Sequence, residues 1–355
     1  MPDVFASPAD AAICTAMLRA GSKSFAAASM ILPARVRQPA TALYAFCRLA
    51  DDAVDLAGDG PQALMHLNER LARAYAGDPL PQPVDRAFAD VVARFNIPRA
   101  LPEALFDGFA WDAQGQIYES LADVEAYAVR VAGTVGMMMA LIMGVRAPTS
   151  LARACDLGIA MQLTNIARDV GEDARAGRLY LPRQWLRAAG IDPKAFLRNP
   201  VFSPALQIVV ARLLEAAAGY YRRAGSGIAG LPLDCRPAIH AARLIYAEIG
   251  RDIAQAGHDS MSRRAYVTKS RKCALLGQAF VAALLPARTN IHAVLVPSAR
   301  FLVEAVAKAP VQAPTLDDRI ARTIDLFSRV DRRPAVRRGR LDIGRQMIKT
   351  MATAE

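Results

Sequence analysis

Two stretches of the chain set carboxylates one helical turn apart, each with a cation beside them. The first is Tyr44-Ala-Phe-Cys-Arg48-Leu-Ala-Asp51-Asp52-Ala-Val-Asp55. A helix turns by about 100° per residue, so with Asp51 at zero, Tyr44 falls near ~20°, Asp55 near ~40° and Arg48 near ~60°, while Asp52 sits near ~100°. Tyr44, Arg48, Asp51 and Asp55 thus share one stripe, leaving Leu43, Phe46 and Leu49 free to face a core. The second is Gln162-Leu-Thr-Asn165-Ile-Ala-Arg168-Asp169-Val-Gly-Glu172-Asp173. Here Asn165, Asp169 and Asp173 fall within about 60° of Gln162, with Glu172 at the edge, roughly 80° round. Gly171 inside that turn costs up to about 1 kcal/mol relative to alanine, a cost that close approach of another group would explain.

Like charges one turn apart cost an isolated helix a few tenths of a kcal/mol, so such a pair beside apolar faces calls for a cation. Oxygen-only donors on two helices suit a hard divalent ion, Mg²⁺ first, because it keeps waters and shares phosphate oxygens. Lys23, Arg48, Arg168, Arg175 and Arg178 would complete a site for a diphosphate. One such acidic spacing alone reads as an ordinary wet helix face. Two, each with its own arginine and polar partner, read as a site.

Helices must position these groups. Aromatics make up 6% of the 355 residues and hydrophobic residues 53%, much of that alanine and leucine, which favours helix over sandwich or barrel. Alternating strand patterns joined by Asn-Gly or Asp-Gly turns are missing. Apolar segments at helical spacing are separated by Pro/Gly breaks at Leu32-Pro33, Gly58 to Pro61, Gly77 to Pro83, Ala147-Pro148, Gly190 to Pro193 and Gly230 to Pro232. The expectation is an all-α protein, a single large bundle of about eight to ten helices. It would occupy residues 1–295, with 296–355 a helical extension and basic tail that includes Asp331 to Arg340.

The net charge of +11 favours anionic partners, a membrane surface included, but no basic motif interleaved with aromatics points to nucleic acid. Five scattered cysteines (no CxxC pair) and four histidines without HxxxH spacing argue against zinc or a disulfide framework and for reducing cytoplasm, with peripheral contact at the inner membrane. The N-terminal residues lack the basic-then-apolar pattern of a signal peptide. Two uncharged runs, Val131 to Val145 and Cys273 to Ala287, are shorter than the roughly 20 residues a bilayer span requires, so both read as buried core helices.

With these residues in view, the chain resembles the squalene/phytoene synthase family, most closely its bacterial carotenoid branch. The resemblance rests on Ser22-Lys23-Ser24-Phe25, YAFCRLADDAVD from Tyr44, YAVRVAGTVG from Tyr127 and LGIAMQLTNIARDVGEDARAGRLYLP from Leu157, and runs from about residue 10 to 290. Asp52-Ala53-Val54 departs from the Thr-x-Glu of eukaryotic squalene synthases. The resemblance implies an all-helical isoprenoid synthase fold with a deep central cavity, and head-to-head joining of two allylic diphosphates to a cyclopropyl diphosphate, which then ionises and rearranges. In the carotenoid branch the substrates are two geranylgeranyl diphosphates and the product 15-cis-phytoene, with Mg²⁺ or Mn²⁺ and no NADPH. The alternatives are a squalene, dehydrosqualene or hydroxysqualene synthase using C15 substrates, and a non-catalytic scaffold of the same fold. Oligomeric state is not legible.

Carried over by position, Asp51 and Asp55 match the first metal-binding aspartates, and Asn165, Asp169 and Asp173 the second cluster. Lys23, Tyr44, Arg48, Gln162, Arg168 and Arg178 match diphosphate-contacting positions, with Ser22 and Phe25 beside them. Tyr127 matches a tyrosine that assists proton removal. By spacing, Tyr127, Val131, Thr134 and Met138 form one stripe expected to line the cavity, with Gly133 and Gly136 giving close helix contact or room for a prenyl chain. Arg243 and Tyr246 share a helical face, and Ser262 to Lys269 follows; these could close over a second diphosphate or form a solvated basic loop.

Overall fold

The computed structural model describes residues 4–56, 60–285 and 294–309, apart from the side chains of Ser24, Asp55 and Leu56. Fifteen α-helices and no strand occur among the described residues. They are α1 (Pro8–Gly21), α2 (Lys23–Ser29), α3 (Ala34–Leu56), α4 (Gly60–Ala76), α5 (Pro83–Phe95), α6 (Ala100–Ala113), α7 (Leu121–Ala128) and α8 (Thr134–Ile142). Then follow α9 (Pro148–Arg175), α10 (Arg183–Ala188), α11 (Pro193–Arg198), α12 (Pro204–Gly227), α13 (Arg236–Gln255), α14 (Lys269–Leu284) and α15 (Arg300–Lys308). The described breaks expected from Pro and Gly all fall between helices. Proline opens α5, α9, α11 and α12, where its missing N–H costs nothing.

The 28-residue α9 is the axis. It packs on α12, α8, α13 and α7, while α3 packs on α1 and α5. Glycine permits the closest of these contacts. A Cβ at Gly158 would sit 2.3 Å from the Ala132 carbonyl oxygen, and one at Gly136 2.3 Å from that of Ala154. Gly133 is equally tight against the Cys155 sulfur, at 2.7 Å. These glycines serve helix contact, although Gly136 also reaches the cavity wall. Deep in the α9–α12 seam, the fully buried Asp156 bridges Arg153 at 2.8 Å and Arg223 at 2.9 Å.

Between α7 and α8 the chain makes a π turn, Val129–Gly133. Its wider turn resets the helical register, so the stripe expected from a 3.6-residue period does not hold across it. Thr134 and Met138 are fully buried rather than cavity-lining, and the wall is formed instead by Val131, Ala132, Val135, Gly136, Met139 and Met143. The two uncharged runs also part ways. Met137 to Ile142 are buried, as expected, whereas α14 packs chiefly on α13 and leaves an apolar face open, correcting its reading as a core helix. Leu302 and Val306 of α15 are buried, and α15 packs on α6 and α9. The expected basic tail, Asp331 to Arg340, lies outside the described residues.

Candidate active site

A cavity of about 880 Å³ runs between α3, α9, α13 and the α7–α8 rod. Its wall follows α9 from Ser150 to Arg168, a distance of about 27 Å at 1.5 Å per residue. Along α9 and α3 the lining changes in step. Ala154, Leu157, Gly158 and Met161 give way to Gln162, Asn165 and Arg168, while Ala40 and Leu43 give way to Tyr44, Cys47 and Arg48. One end thus concentrates cations and amides, and most of the length beyond it is apolar. Arg153, tied to Asp156, and Ser150 are polar exceptions towards the far end.

Ser22 opens α2 by accepting a hydrogen bond from the Phe25 backbone N–H at 3.2 Å, which brings Lys23 and Phe25 to the wall. Phe25 stacks on Tyr44, with ring centroids 5.5 Å apart. The Tyr44 hydroxyl lies over Gly21, 2.3 Å from where a Cβ would be, so a side chain here would push the tyrosine aside. Lys272, at the start of α14, joins the same wall; burial and then the charge of Lys23 lower its pKa. Two ammonium groups that repel each other across a cavity mark a place for an anion.

The acidic stripes end in different surroundings. On α3, Arg48 bonds Asp52 at 2.6 Å and Asp51 at 3.4 Å, and all three side chains are well exposed. Asp52, placed off the stripe by its angle, is therefore the closer partner. The Asp55 side chain lies outside the described residues. On α9, Asp169 accepts from Arg168 at 2.8 Å and from Arg264 at 2.8 Å. Burial alone would raise the Asp169 carboxyl, but these hydrogen bonds outweigh it and hold the group below the usual range. Asp173 is less well relieved: burial first, and then the charge of Asp169, push it up to about 7 against the opposing charge of Arg178.

Gly171 explains how Arg264 arrives. Its N–H donates to the Ser260 carbonyl at 3.1 Å, and Arg175 donates to the Met261 carbonyl at 2.6 Å. A Cβ at Gly171 would stand 2.8 Å from that Ser260 oxygen, which is the close approach the sequence called for. Arg175 is thus a clamp on the loop and not a cavity-wall cation. Arg178 also lies off the wall; its backbone N–H donates to the Asp173 carbonyl at 2.8 Å. Tyr246 lines the cavity, whereas Arg243 turns to Gly225 and Tyr221, so the pair does not act together at the wall.

Tyr127 sits off the cavity wall, buried in a ring cluster with Tyr118 and Tyr180. Its hydroxyl donates to Asp112 at 2.7 Å, and Tyr180 donates to the other Asp112 oxygen at 2.8 Å. Burial and the Asp112 charge raise the Tyr127 pKa well above its ordinary value. Asp112 and Lys272 carried no signal in the sequence: one is an acid on α6 beside Glu103 and Asp107, the other one basic residue among several.

The donor set on α9 suits a hard divalent cation. The Asn165 Oδ1 is buried without a hydrogen-bond partner, and Asp169 and Asp173 follow it one and two turns on. An orphaned acceptor, with a carboxylate two turns on held up by burial and by neighbouring negative charge, calls for positive charge. Among the described residues no three acidic, histidine or cysteine side chains converge as a metal cluster by themselves, so Asn165 and ligand oxygens would have to complete the set.

The fold and this cavity define a class, and the sequence comparisons agree: the chain belongs to the squalene/phytoene synthase family, whose profile matches residues 18–271. It is 53% identical over 306 residues to a phytoene synthase of Rhodobacter capsulatus, covering 84% of this chain and 90% of that one. It is 42% identical over 267 residues to a 15-cis-phytoene synthase of Pantoea ananas, covering 72% and 86%. A solved dehydrosqualene synthase in complex with ligand superposes with a TM-score of 0.70 at 32% identity, covering 76% of this chain and 95% of that one.

Proposed function

We propose that this chain joins two geranylgeranyl diphosphates head to head, through a cyclopropyl diphosphate, to 15-cis-phytoene with release of diphosphate. The single observation that carries this is the long cavity graded from cations and amides at one end to apolar wall over most of its length. The close identity to relatives of that name supports it.

Lys23, Arg48, Arg168, Arg264 and Lys272 surround the end where a diphosphate would sit and would bind its charge more tightly as it departs. A bound Mg²⁺ or Mn²⁺, held by Asn165, Asp169 and Asp173 and by Asp51 with Asp55 from α3, would neutralise the leaving group. The apolar lining from Val135 to Met143 keeps water from the cationic carbon. We assign to Tyr127 a part in proton removal: its hydroxyl, held by Asp112 just behind the cavity wall, would take up a proton as it passes its own to that carboxylate. The reaction needs no reductant.

Incubation with C15 or C20 diphosphates plus Mg²⁺, with and without NADPH, and identification of the hydrocarbon tests this reading. A C40 product from C20 substrate, independent of NADPH, is expected. A C30 product formed only from C15 substrate would overturn it.

A further inference from the structure

Helix α14 exposes a side that its role as a core helix would have hidden. Leu275, Ala279 and Ala283 are buried, while Phe280 is 49% exposed, Val281 60%, Leu284 86% and Leu285 62%. Exposed apolar groups at this density on one face are uncommon on a free surface and mark contact with something apolar. From Ser260 to Leu285 the chain carries five basic residues and no acidic one. Arg271 is paired with Glu248 and Arg263 with Asp252, while Lys269 stands exposed at the cavity end of the helix. The cavity reaches the start of the same helix, because Tyr266 and Lys272 line it. Leu284 lies twelve residues beyond Lys272, about 18 Å along the helix.

We propose that the open face of α14 docks on an anionic bilayer surface. The apolar side chains would enter the acyl boundary and the exposed Lys269 at the start of the helix would meet the headgroups. A bilayer is the occupant the chemistry selects: a hydrocarbon product has no polar group to carry it into water, and prenyl diphosphates are themselves amphiphiles. This choice rests on the prenyl-diphosphate reading above. Docking here brings the cavity mouth to the lipid that supplies substrate and receives product.

The test is vesicle flotation of the full chain with phosphatidylcholine vesicles, with and without phosphatidylglycerol, at low and high salt. The expected result is binding that needs the anionic lipid and weakens with salt. It should drop about tenfold or more in the Phe280→Ser/Leu284→Ser double variant, since bound strength scales with inserted apolar area. Neither residue lines the cavity, so turnover of the double variant in detergent micelles should equal that of the unaltered chain. Equal vesicle binding by the double variant overturns the proposal. So does binding that persists in the double variant but vanishes when 310–355 is removed, which would make that segment the anchor. A dimer in vesicle-free solution that the double variant dissociates would assign the face to a second copy instead. Turnover in micelles is read separately: its absence from the unaltered chain strikes the functional reading, whatever the vesicles show.

Discussion

The acidic stripes of α3 and α9 share a spacing and an arginine, yet the fold treats them differently. Arg48, Asp51 and Asp52 stand in solvent on α3, their side chains 40–45% exposed, free to rearrange around a ligand. On α9 the Asp169 side chain is 17% exposed and bracketed by Arg168 and Arg264, the latter delivered by a loop fastened to the same helix at Gly171 and Arg175. Asp173, a turn further on, is half-buried among other carboxylates. One stripe is adaptable and the other is built in advance. Its charge is balanced at Asp169 and only partly balanced, by Arg178, at Asp173, which is where a further cation gains most.

The largest effects should come from removing metal-ligand charge. Asp169→Asn, Asp173→Asn and Asp51→Asn should each lower turnover about a thousandfold or more, with far-UV circular dichroism unchanged. Full activity in any of them would break the assignment of that stripe. Stability should then separate the two helices. The Asp173 carboxyl titrates near 7 when folded, above its ordinary 3.8, so its contribution is complete below about pH 4 and is lost as pH rises through 7. Metal-free protein should therefore melt lower at pH 8 than at pH 6. Asp173→Asn should flatten that slope and gain roughly 1–3 kcal/mol at pH 8, because a charge that Arg178 only partly compensates is gone. A melting curve that responds to pH identically in the variant would show that Asp173 carries no such burden.

A third carboxylate on α9 is the control. Asp156 is as close to its partners as Asp169 is to its own, but it is fully buried between Arg153 and Arg223 and holds the α9–α12 seam. Asp156→Asn takes this counter-ion from the buried Arg153 and the partly exposed Arg223, and the expected cost is about 3–5 kcal/mol by denaturant titration. A loss under about 1 kcal/mol would mean that the arginines find other partners.

Gly171→Ala probes the clamp itself. The added methyl meets a backbone oxygen at 2.8 Å, so the loop must move and Arg264 with it. Over-packing of this kind costs about 1–3 kcal/mol. The kinetic signature should be a raised KM, several-fold, with kcat less affected, since Arg264 supplies binding charge at the cavity mouth. Unchanged kinetics would make the loop merely structural.

Much of this was legible in the sequence because it is local. Helix period and Pro/Gly breaks placed the helices, and the i, i+4 acids placed both stripes on their helices without reference to the rest of the chain. What failed depended on distant parts. The π turn at Val129–Gly133 shifts the wall from Thr134 and Met138 to Val135 and Met139, and no residue type in that stretch announces it. Arg264 reaches Asp169 only because a loop ninety-five residues on is pinned at Gly171. That glycine was a visible anomaly whose partner could not be named. Asp112 joins Tyr127 and Tyr180 across 15 and 68 residues, a meeting no periodicity encodes. The openness of α14 was hidden for the same reason: an uncharged helix reads alike whether a core or a membrane covers it.

The smallest effect sharpens the first comparison. Arg48 holds Asp52 at 2.6 Å and Asp51 at 3.4 Å, so Asp52 is the better partner in this arrangement although it lies off the acidic stripe. Both pairs are i,i+3 or i,i+4 contacts in solvent, where such bridges are worth about 0.3–0.5 kcal/mol and fade with salt. Asp52→Asn should therefore shift stability by no more than about 0.5 kcal/mol, a difference that disappears in high salt. Its effect on turnover should be far below that of Asp51→Asn, because its loss frees Arg48 to turn towards the cavity and takes no oxygen from the stripe. If Asp52→Asn were instead as damaging as Asp51→Asn, the metal-facing side of α3 would include Asp52. The helical angles that set Asp51 and Asp55 apart from it would then describe the sequence but not the site.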